Sequence, residues 1–387
     1  LLDFRIKGGV EAQQTIGGEG QEAGQLGFNT IEAGSQVSLN FPRELFPFNL
    51  LVTKNVREEQ RKTKDRRTVF SASVNYQHRV DYDRSLGNIG YGYTFRYKRY
   101  TRFGYYPFEL NVVKVNPGSG LDTLLQNGDP FLIYRFTDHL IHDSRVTYNW
   151  NNQLSTNTRQ RNSFNLSADF ETAGMLLRAW SVAANRPQND LGSYEIAGIP
   201  FAQYFRVFTD LRWLIRLGSH QDLAQRVAVG VGFPFGNFKT LPLEKSFYGG
   251  GANGIRAWEA RSLGPGSYLV PSDQKYSQFG DIRVEYNIEL RFDLTRTIEL
   301  AVFADGGNIW QLYDDPAREG ESFRFDKFYN EFAFGPGVGI RYNLGFFVIR
   351  LDLAFKFRDP AMPYGERWWV GQRKLGSNLN FGIGYPF

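Results

Sequence analysis

The chain ends Leu379-Asn380-Phe381-Gly382-Ile383-Gly384-Tyr385-Pro386-Phe387. Successive side chains of an extended strand point to opposite faces. Leu379, Phe381, Ile383, Tyr385 and Phe387 therefore share one face, and Asn380, Gly382, Gly384 and Pro386 share the other. The first face is apolar and rich in aromatics; the second is small or polar. A strand divided in this way, stopping on an aromatic residue, reads as the closing strand of a transmembrane β-barrel.

The same alternation recurs upstream. Ile282, Val284, Tyr286, Ile288, Leu290, Phe292 and Leu294 face one way, and Asp281, Arg283, Glu285, Asn287, Glu289, Arg291 and Asp293 the other. The stretch from Phe347 to Phe357 repeats the pattern with Arg350, Asp352, Lys356 and Arg358 opposite. So do Ile89 to Tyr97, Phe70 to Val80, Phe164 to Phe170 and Phe332 to Tyr342. Period-two patterning is the primary strand signal. Runs of about ten residues are the length that crosses a bilayer when tilted.

Fourteen strands can be counted, at about 2–15, 28–43, 66–82, 86–100, 103–115, 129–152, 159–172, 198–217, 222–235, 277–292, 296–310, 330–343, 345–358 and 375–387. Residues 44–60 and 175–197 fit neither strand nor loop cleanly, and a further strand or two is expected upstream of Leu1. The charged run Asn55 to Arg66 reads as an aqueous connection. The fold class is all-β, a transmembrane antiparallel β-barrel occupying 1–387.

Composition agrees. Mean hydropathy is -0.41, and no run of about 18 apolar residues occurs, which excludes membrane-spanning helices. Aromatics nonetheless reach 16%, with 34 Phe and 21 Tyr, as expected when half of each strand meets lipid. The chain has no Cys, which removes disulfides, thiolate catalysis and Cys-ligated metals. A soluble β-sandwich or propeller is the competing architecture, since alternation alone does not say what the apolar face meets. Strand length and the aromatic apolar faces weigh against it.

One segment, from Lys245 to Gln278, breaks the alternation. It contains Phe247-Tyr248-Gly249-Gly250-Gly251-Ala252-Asn253-Gly254-Ile255-Arg256-Ala257-Trp258, then Arg261-Ser262-Leu263-Gly264-Pro265-Gly266-Ser267-Tyr268. A surface loop needs no Ile-Arg-aromatic core. The pattern predicts a long loop, at about 246–276, folded inward with its guanidinium held by carboxylates.

This segment resembles the loop-six signature of the BamA/TamA superfamily of outer-membrane assembly barrels, whose cousins are the two-partner secretion transporters. The signature there is Phe, a Gly pair, a spacer, then Val or Ile, Arg, Gly and an aromatic. Gly249, Gly250, Gly251, Ile255, Arg256 and Trp258 match; Ala257 stands where the family pattern has Gly. Val302-Phe303-Ala304-Asp305-Gly306-Gly307-Asn308-Ile309-Trp310 resembles the family's Phe-x-Asp-small-Gly-Asn strand, and Phe387 its aromatic terminus. Before about Gly230 the resemblance is architectural.

The resemblance implies a sixteen-stranded barrel in the bacterial outer membrane, with POTRA domains and any lipid anchor upstream. It implies that Arg256 pairs in the lumen with Glu289 and Asp305, both on the polar faces of their strands. It implies a lateral seam at the last strand, marked by Phe381, Gly382, Gly384, Tyr385 and Phe387. An ordinary stabilising ion pair, and glycines that merely make room, are the plainer readings of these residues. Gly264 to Tyr268 and Arg358-Asp359-Pro360 look like TamA-like lipoproteins (TamL) of Bacteroidota. The function implied is protein insertion or lipid transport without chemistry: not an enzyme, no cofactor, no metal and no nucleic acid. The implied partners are outer-membrane lipids, client outer-membrane proteins and a TamB-like periplasmic bridging protein. A BamA-type insertase, a two-partner secretion transporter and a passive porin remain as alternatives.

Other signals are weak. The glycine run at 249–254 has no βαβ context for a dinucleotide. His139 and His142 fall on opposite strand faces, unsuited to a shared ion. Trp150, Trp258, Trp310, Trp368 and Trp369 suit either a membrane interface or loop packing.

Overall fold

The computed structural model describes residues 1–11, 30–43, 45, 66–79, 82–118, 121–122, 125, 130–152, 161–271, 278–369 and 375–387. The charged run at 55–65 and the strand ends assigned to 12–15 and 28–29 lie outside these residues, as do most of 44–60.

The strands are β1 (Leu2–Glu11), β2 (Thr30–Phe41), β3 (Arg66–Arg79), β4 (Tyr82–Lys98), β5 (Thr101–Pro117), β6 (His139–Asn151) and β7 (Asn162–Ala173). After a short hairpin of β8 (Glu195–Ile196) and β9 (Ile199–Pro200) come β10 (Tyr204–Arg216), β11 (Gln221–Pro234) and β12 (Ile282–Asp293). β13 (Ile298–Trp310), β14 (Ala333–Asn343), β15 (Val348–Phe355) and β16 (Ser377–Ile383) complete the chain. Fourteen of them, all but β8 and β9, form one antiparallel sheet in which each strand pairs with its neighbours in sequence. This is the barrel meander that the alternation predicts. From β10 onward, turns of a few residues at one end alternate with long connections at the other. Short turns face the periplasm and long loops the exterior.

Burial follows the pleat. On β12 the inward Glu285, Asn287, Glu289 and Arg291 are buried while the outward Tyr286 is exposed. Val74, Ile89, Val302, Val338, Leu379, Phe381 and Ile383 are likewise exposed apolar side chains on outward faces. Such a surface suits lipid and not water.

The structure differs from the expected elements in four places. Residues 130–136, read as part of a strand, form a helix, α1 (Pro130–Phe136), before β6. The indeterminate 175–197 holds a helix, α2 (Met175–Ala183), and half of the β8–β9 hairpin. The strand expected from 198 starts at Tyr204.

The last difference is the closing strand. Its ladder stops at Ile349↔Ile383. Gly384 then takes φ +88, a left-handed conformation that L side chains rarely adopt, and turns the chain. Tyr385 and Phe387 therefore leave the apolar face. The Tyr385 hydroxyl reaches Glu299 at 3.2 Å, and the Arg291 guanidinium stands 4.4 Å from the Tyr385 ring. Phe387 lies 5.9 Å from both Arg256 and Arg291. The terminal aromatics pack against lumen arginines, because cation–π contact with a cluster of guanidiniums competes with burial in lipid.

Residues 235–281 connect β11 to β12. Those described, 235–271 and 278–281, supply Phe238, Leu241, Leu243, Phe247, Ile255, Trp258, Leu263 and Phe279 to the three buried clusters found among the described residues. Wall glycines admit them. A Cβ on Gly230 would stand 2.4 Å from the Phe247 ring, and one on Gly232 would stand 2.3 Å from Leu241.

Candidate functional site

The loop motif forms a tight knot. Gly249 bridges Leu263, the Gly251 N–H donates to the Trp258 carbonyl at 2.8 Å, and the Trp258 N–H donates to Ile255 at 3.1 Å. Gly250 has φ +85, and a Cβ there would stand 2.2 Å from the Glu259 carbonyl. Only glycine fits such an approach. Gly251 is also left-handed. Ile255, Ala257 and Trp258 are buried with Leu263, Phe303, Ala333 and Ala354.

Arg256 projects from this knot and is fully buried. Its Nε donates to Asp305 Oδ2 at 2.8 Å and its Nη2 to Oδ1 at 3.0 Å, a bidentate fork. Its backbone N–H adds a third bond to Oδ2 at 3.1 Å. Nη1 reaches Glu289 Oε2 at 2.6 Å and Asp352 Oδ2 at 3.4 Å. The guanidinium carbon stands 3.3 Å from the centroid of the Phe303 ring. Burial opposes the charge, but Asp305 first, then Glu289 and Asp352, outweigh it and hold the guanidinium protonated more firmly than in free arginine.

The cluster extends over four strands, β12 to β15. Glu289 also accepts from Arg291 at 2.8 Å and Arg341 at 2.9 Å, and Asp352 pairs with Arg341 and Arg350. Arg256 thus ties the loop to β12, β13 and β15. Its carbonyl accepts from Asn378 and Asn380 of β16, each at 2.9 Å, so the knot also holds the sheet's last strand.

The structure brings Arg256, Glu289 and Asp305 together. Sequence reading missed Asp352, Asn378 and Asn380, although all three alternate onto polar faces and were within reach. Ala257, where the family pattern has Gly, still approaches the wall closely: β14 carries Gly335 opposite, and a Cβ there would stand 2.5 Å from that of Ala257. Gly335 supplies the space that the Ala257 methyl occupies. Gly382 leaves space for Arg350, whose Nε would stand 2.4 Å from a Cβ at that position.

A second anchor lies on the opposite wall. Glu244 accepts from Arg84 of β4 at 2.8 Å and meets His139 Nε2 of β6 at 3.1 Å. Lys245 donates to Asp143 of β6 at 3.2 Å and to Glu171 of β7, and its carbonyl accepts from Arg206 of β10 at 2.9 Å. Burial would raise the Glu244 carboxyl, but His139 and Arg84 hold it at about 2. Burial would lower the Lys245 ammonium, but Glu171 and Asp143 raise it. The signal in the sequence was a Glu-Lys pair inside the apolar stretch from Leu241 to Phe247.

Trp258 and Trp310 pack in the interior and not at an interface; Trp310 donates to Glu331 at 2.6 Å. His139 and His142 face different surroundings, Glu244 and the Phe108 ring.

Residues 15–387 match the model of the Omp85 superfamily domain. The chain belongs to the Omp85 superfamily. A stretch of 134 residues is 30% identical to the outer membrane protein assembly factor BamA of Neisseria meningitidis serogroup B, covering 33% of the chain and 17% of that protein. The structure resembles Haemophilus ducreyi BamA lacking POTRA domains 1–3, with TM-score 0.55 and 13% identity over 92% of the chain and 61% of that structure. It also resembles Escherichia coli CdiB, with TM-score 0.50 and 10% identity over 91% of the chain and 52% of that structure. The chain thus spans less than two thirds of the length of these relatives. As an Omp85 barrel it is an outer-membrane protein, and its apolar outward faces meet lipid.

Proposed function

We propose that this Omp85 barrel is the membrane part of a TamA-type assembly protein, preceded in the whole protein by POTRA domains. It aids insertion of outer-membrane proteins or lipid transport through a lateral seam. The observation that carries this reading is the link from the Arg256 carbonyl to Asn378 and Asn380. The lumen loop and the edge strand β16 are one mechanical unit, as a seam worked from inside the barrel requires. An exposed strand edge can template an incoming strand by β-augmentation. The work is done by lowering a barrier and not by bond-making, so no cofactor, metal or nucleic acid takes part. The loop crossing the lumen argues against a passive porin. The likeness to the assembly factor BamA of Neisseria meningitidis favours a BamA-type insertase as the second reading.

Affinity purification of the protein from its own membranes in mild detergent, followed by mass spectrometry, tests the proposal. Recovery of a long TamB-like bridging protein supports the TamA-type role. Recovery of accessory assembly lipoproteins instead overturns it in favour of a BamA-type insertase.

A further inference from the structure

Helix α2 has no part in the seam or the lumen anchors, yet it presents an apolar surface outside the barrel. It starts directly where β7 ends: the Gly174 N–H donates to the His142 carbonyl at 2.9 Å, and Gly174 caps the helix. Its place at the long-loop end puts it at the outer rim. Met175, Leu176, Trp180 and Val182 are exposed, Leu176 at 66%. Its other side is fastened to the protein. Arg178 reaches Gln203 at 3.4 Å and stands 5.7 Å from the Tyr194 ring, while Ser181 is buried.

The exposed face continues a surface that already meets lipid. Phe170, three residues before the end of β7, and Phe205 and Val207 on the adjacent β10 are outward and exposed. Phe205 stacks on Phe235 at 5.1 Å, and Phe233 contacts Tyr313, forming an aromatic rim at this height. Aromatic belts of this kind mark the boundary between acyl chains and headgroups. The Arg186 guanidinium sits 4.8 Å from the centroid of the Trp180 ring. A tryptophan capped by an arginine suits the interface, with the ring toward acyl chains and the cation toward lipid phosphate.

We infer that α2 is an in-plane anchor lying in the outer leaflet, with Leu176, Trp180 and Val182 among the acyl chains and Arg186 at the anionic headgroups. The continuity of its apolar face with the rim of β7 and β10 selects lipid over a protein partner. The helix fixes the depth of the β7–β10 wall, seven strands from β16 in the sheet order.

The absence of native Cys makes the test clean. Leu176→Cys and Val182→Cys are each labelled with an environment-sensitive fluorophore, in the otherwise unaltered barrel reconstituted into nanodiscs. Tyr364→Cys, on an outer loop and 80% exposed, is the reference. Lipids brominated along the acyl chain should quench both α2 labels at least roughly twofold more than the reference, as expected for a face buried at the headgroup–acyl boundary. Leu176→Asp in the Val182-labelled chain should reduce that quenching. Water-like emission without quenching at both positions overturns the inference. So does a blue shift that depends on protein concentration and not on brominated lipid, which would mark contact with a second copy. A labelled variant counts as folded only if it keeps the heat-modifiable mobility of the unlabelled barrel.

Discussion

At the residue scale, Arg256 shows what a buried guanidinium can hold. It satisfies Asp305 bidentately, shares Glu289 and Asp352, and offers its carbonyl to two asparagines. Arg256→Ala takes the guanidinium from Asp305, while Glu289 and Asp352 keep Arg291, Arg341 and Arg350, at a cost of about 3–5 kcal/mol. We expect the variant to assemble at reduced thermal stability and to lose function more than abundance; normal growth of a complemented deletion strain would refute this. Lysine should rescue only in part, since it lacks the planar fork. The Ala257–Gly335 contact makes a sharper test. Gly335→Ala sets two Cβ atoms 2.5 Å apart and should cost about 1–3 kcal/mol by overpacking. Ala257→Gly in the same chain should recover most of that loss. A double-mutant cycle on thermal midpoints with no coupling would sink the compensation argument. Arg256 and its two carboxylates were legible in the sequence because a motif and a period-two pattern placed them. Gly335 was not, because a vacancy for a neighbour's methyl leaves no mark of its own among so many glycines.

At the element scale, the loop at 235–281 is tied on both sides of the lumen, by Arg256 to β12, β13 and β15 and by Glu244 and Lys245 to β4, β6, β7 and β10. Either anchor alone should keep it across the opening. In planar bilayers, Arg256→Ala and Lys245→Met should each give little ion conductance, while the double variant conducts like an open barrel; equal conductance of single and double variants would contradict two independent tethers. The outer loop between β13 and β14 carries a different signature. Burial foremost, then Asp315 and Asp281, raise the Glu321 carboxyl from 4.5 to about 7 despite Arg318 and Arg135. The native state therefore holds an extra proton between those values, and the contribution of this carboxyl to stability is fully present in acid and is lost as pH rises through about 7. Glu321→Gln should raise the thermal midpoint at pH 8, by the equivalent of roughly 1–3 kcal/mol, and change little at pH 4. An equal shift at both pH values would exclude the proton as the cause. Strands were legible here because half of every strand meets lipid. The helices α1 and α2 were not, since short helical segments beside strands carry too few periods to separate 3.6 from 2.

At the scale of the whole molecule, the sheet is unevenly strong. β12 and β13 pair over twelve positions, and β15 and β16 over seven. The weaker ladder ends where Gly384 turns the chain, and Pro386 beyond it has no N–H to donate. Each missing backbone bond forgoes about 0.5–1.5 kcal/mol. The β14–β15 ladder is as short, at seven positions, but β15 is paired on both sides and β16 on one, so β16 is the wall element that parts most easily. Asn378 and Asn380 project from β16 into the lumen and bind the loop, so movement of the strand and of the loop must be coupled. If the seam works by opening, locking it should stop function without unfolding the barrel. Cysteines scanned along β16 and along the strand that faces it across the seam, in a chain that has none, provide the lock. A pair that closes in the native membrane reports that the two strands meet, since a disulfide requires Cα atoms within about 4.4–6.8 Å. Such a pair should abolish complementation under oxidising conditions and restore it with reductant. Undiminished growth with the cross-link fully formed would remove the seam from the mechanism and leave the loop anchors as stabilisers of a static barrel.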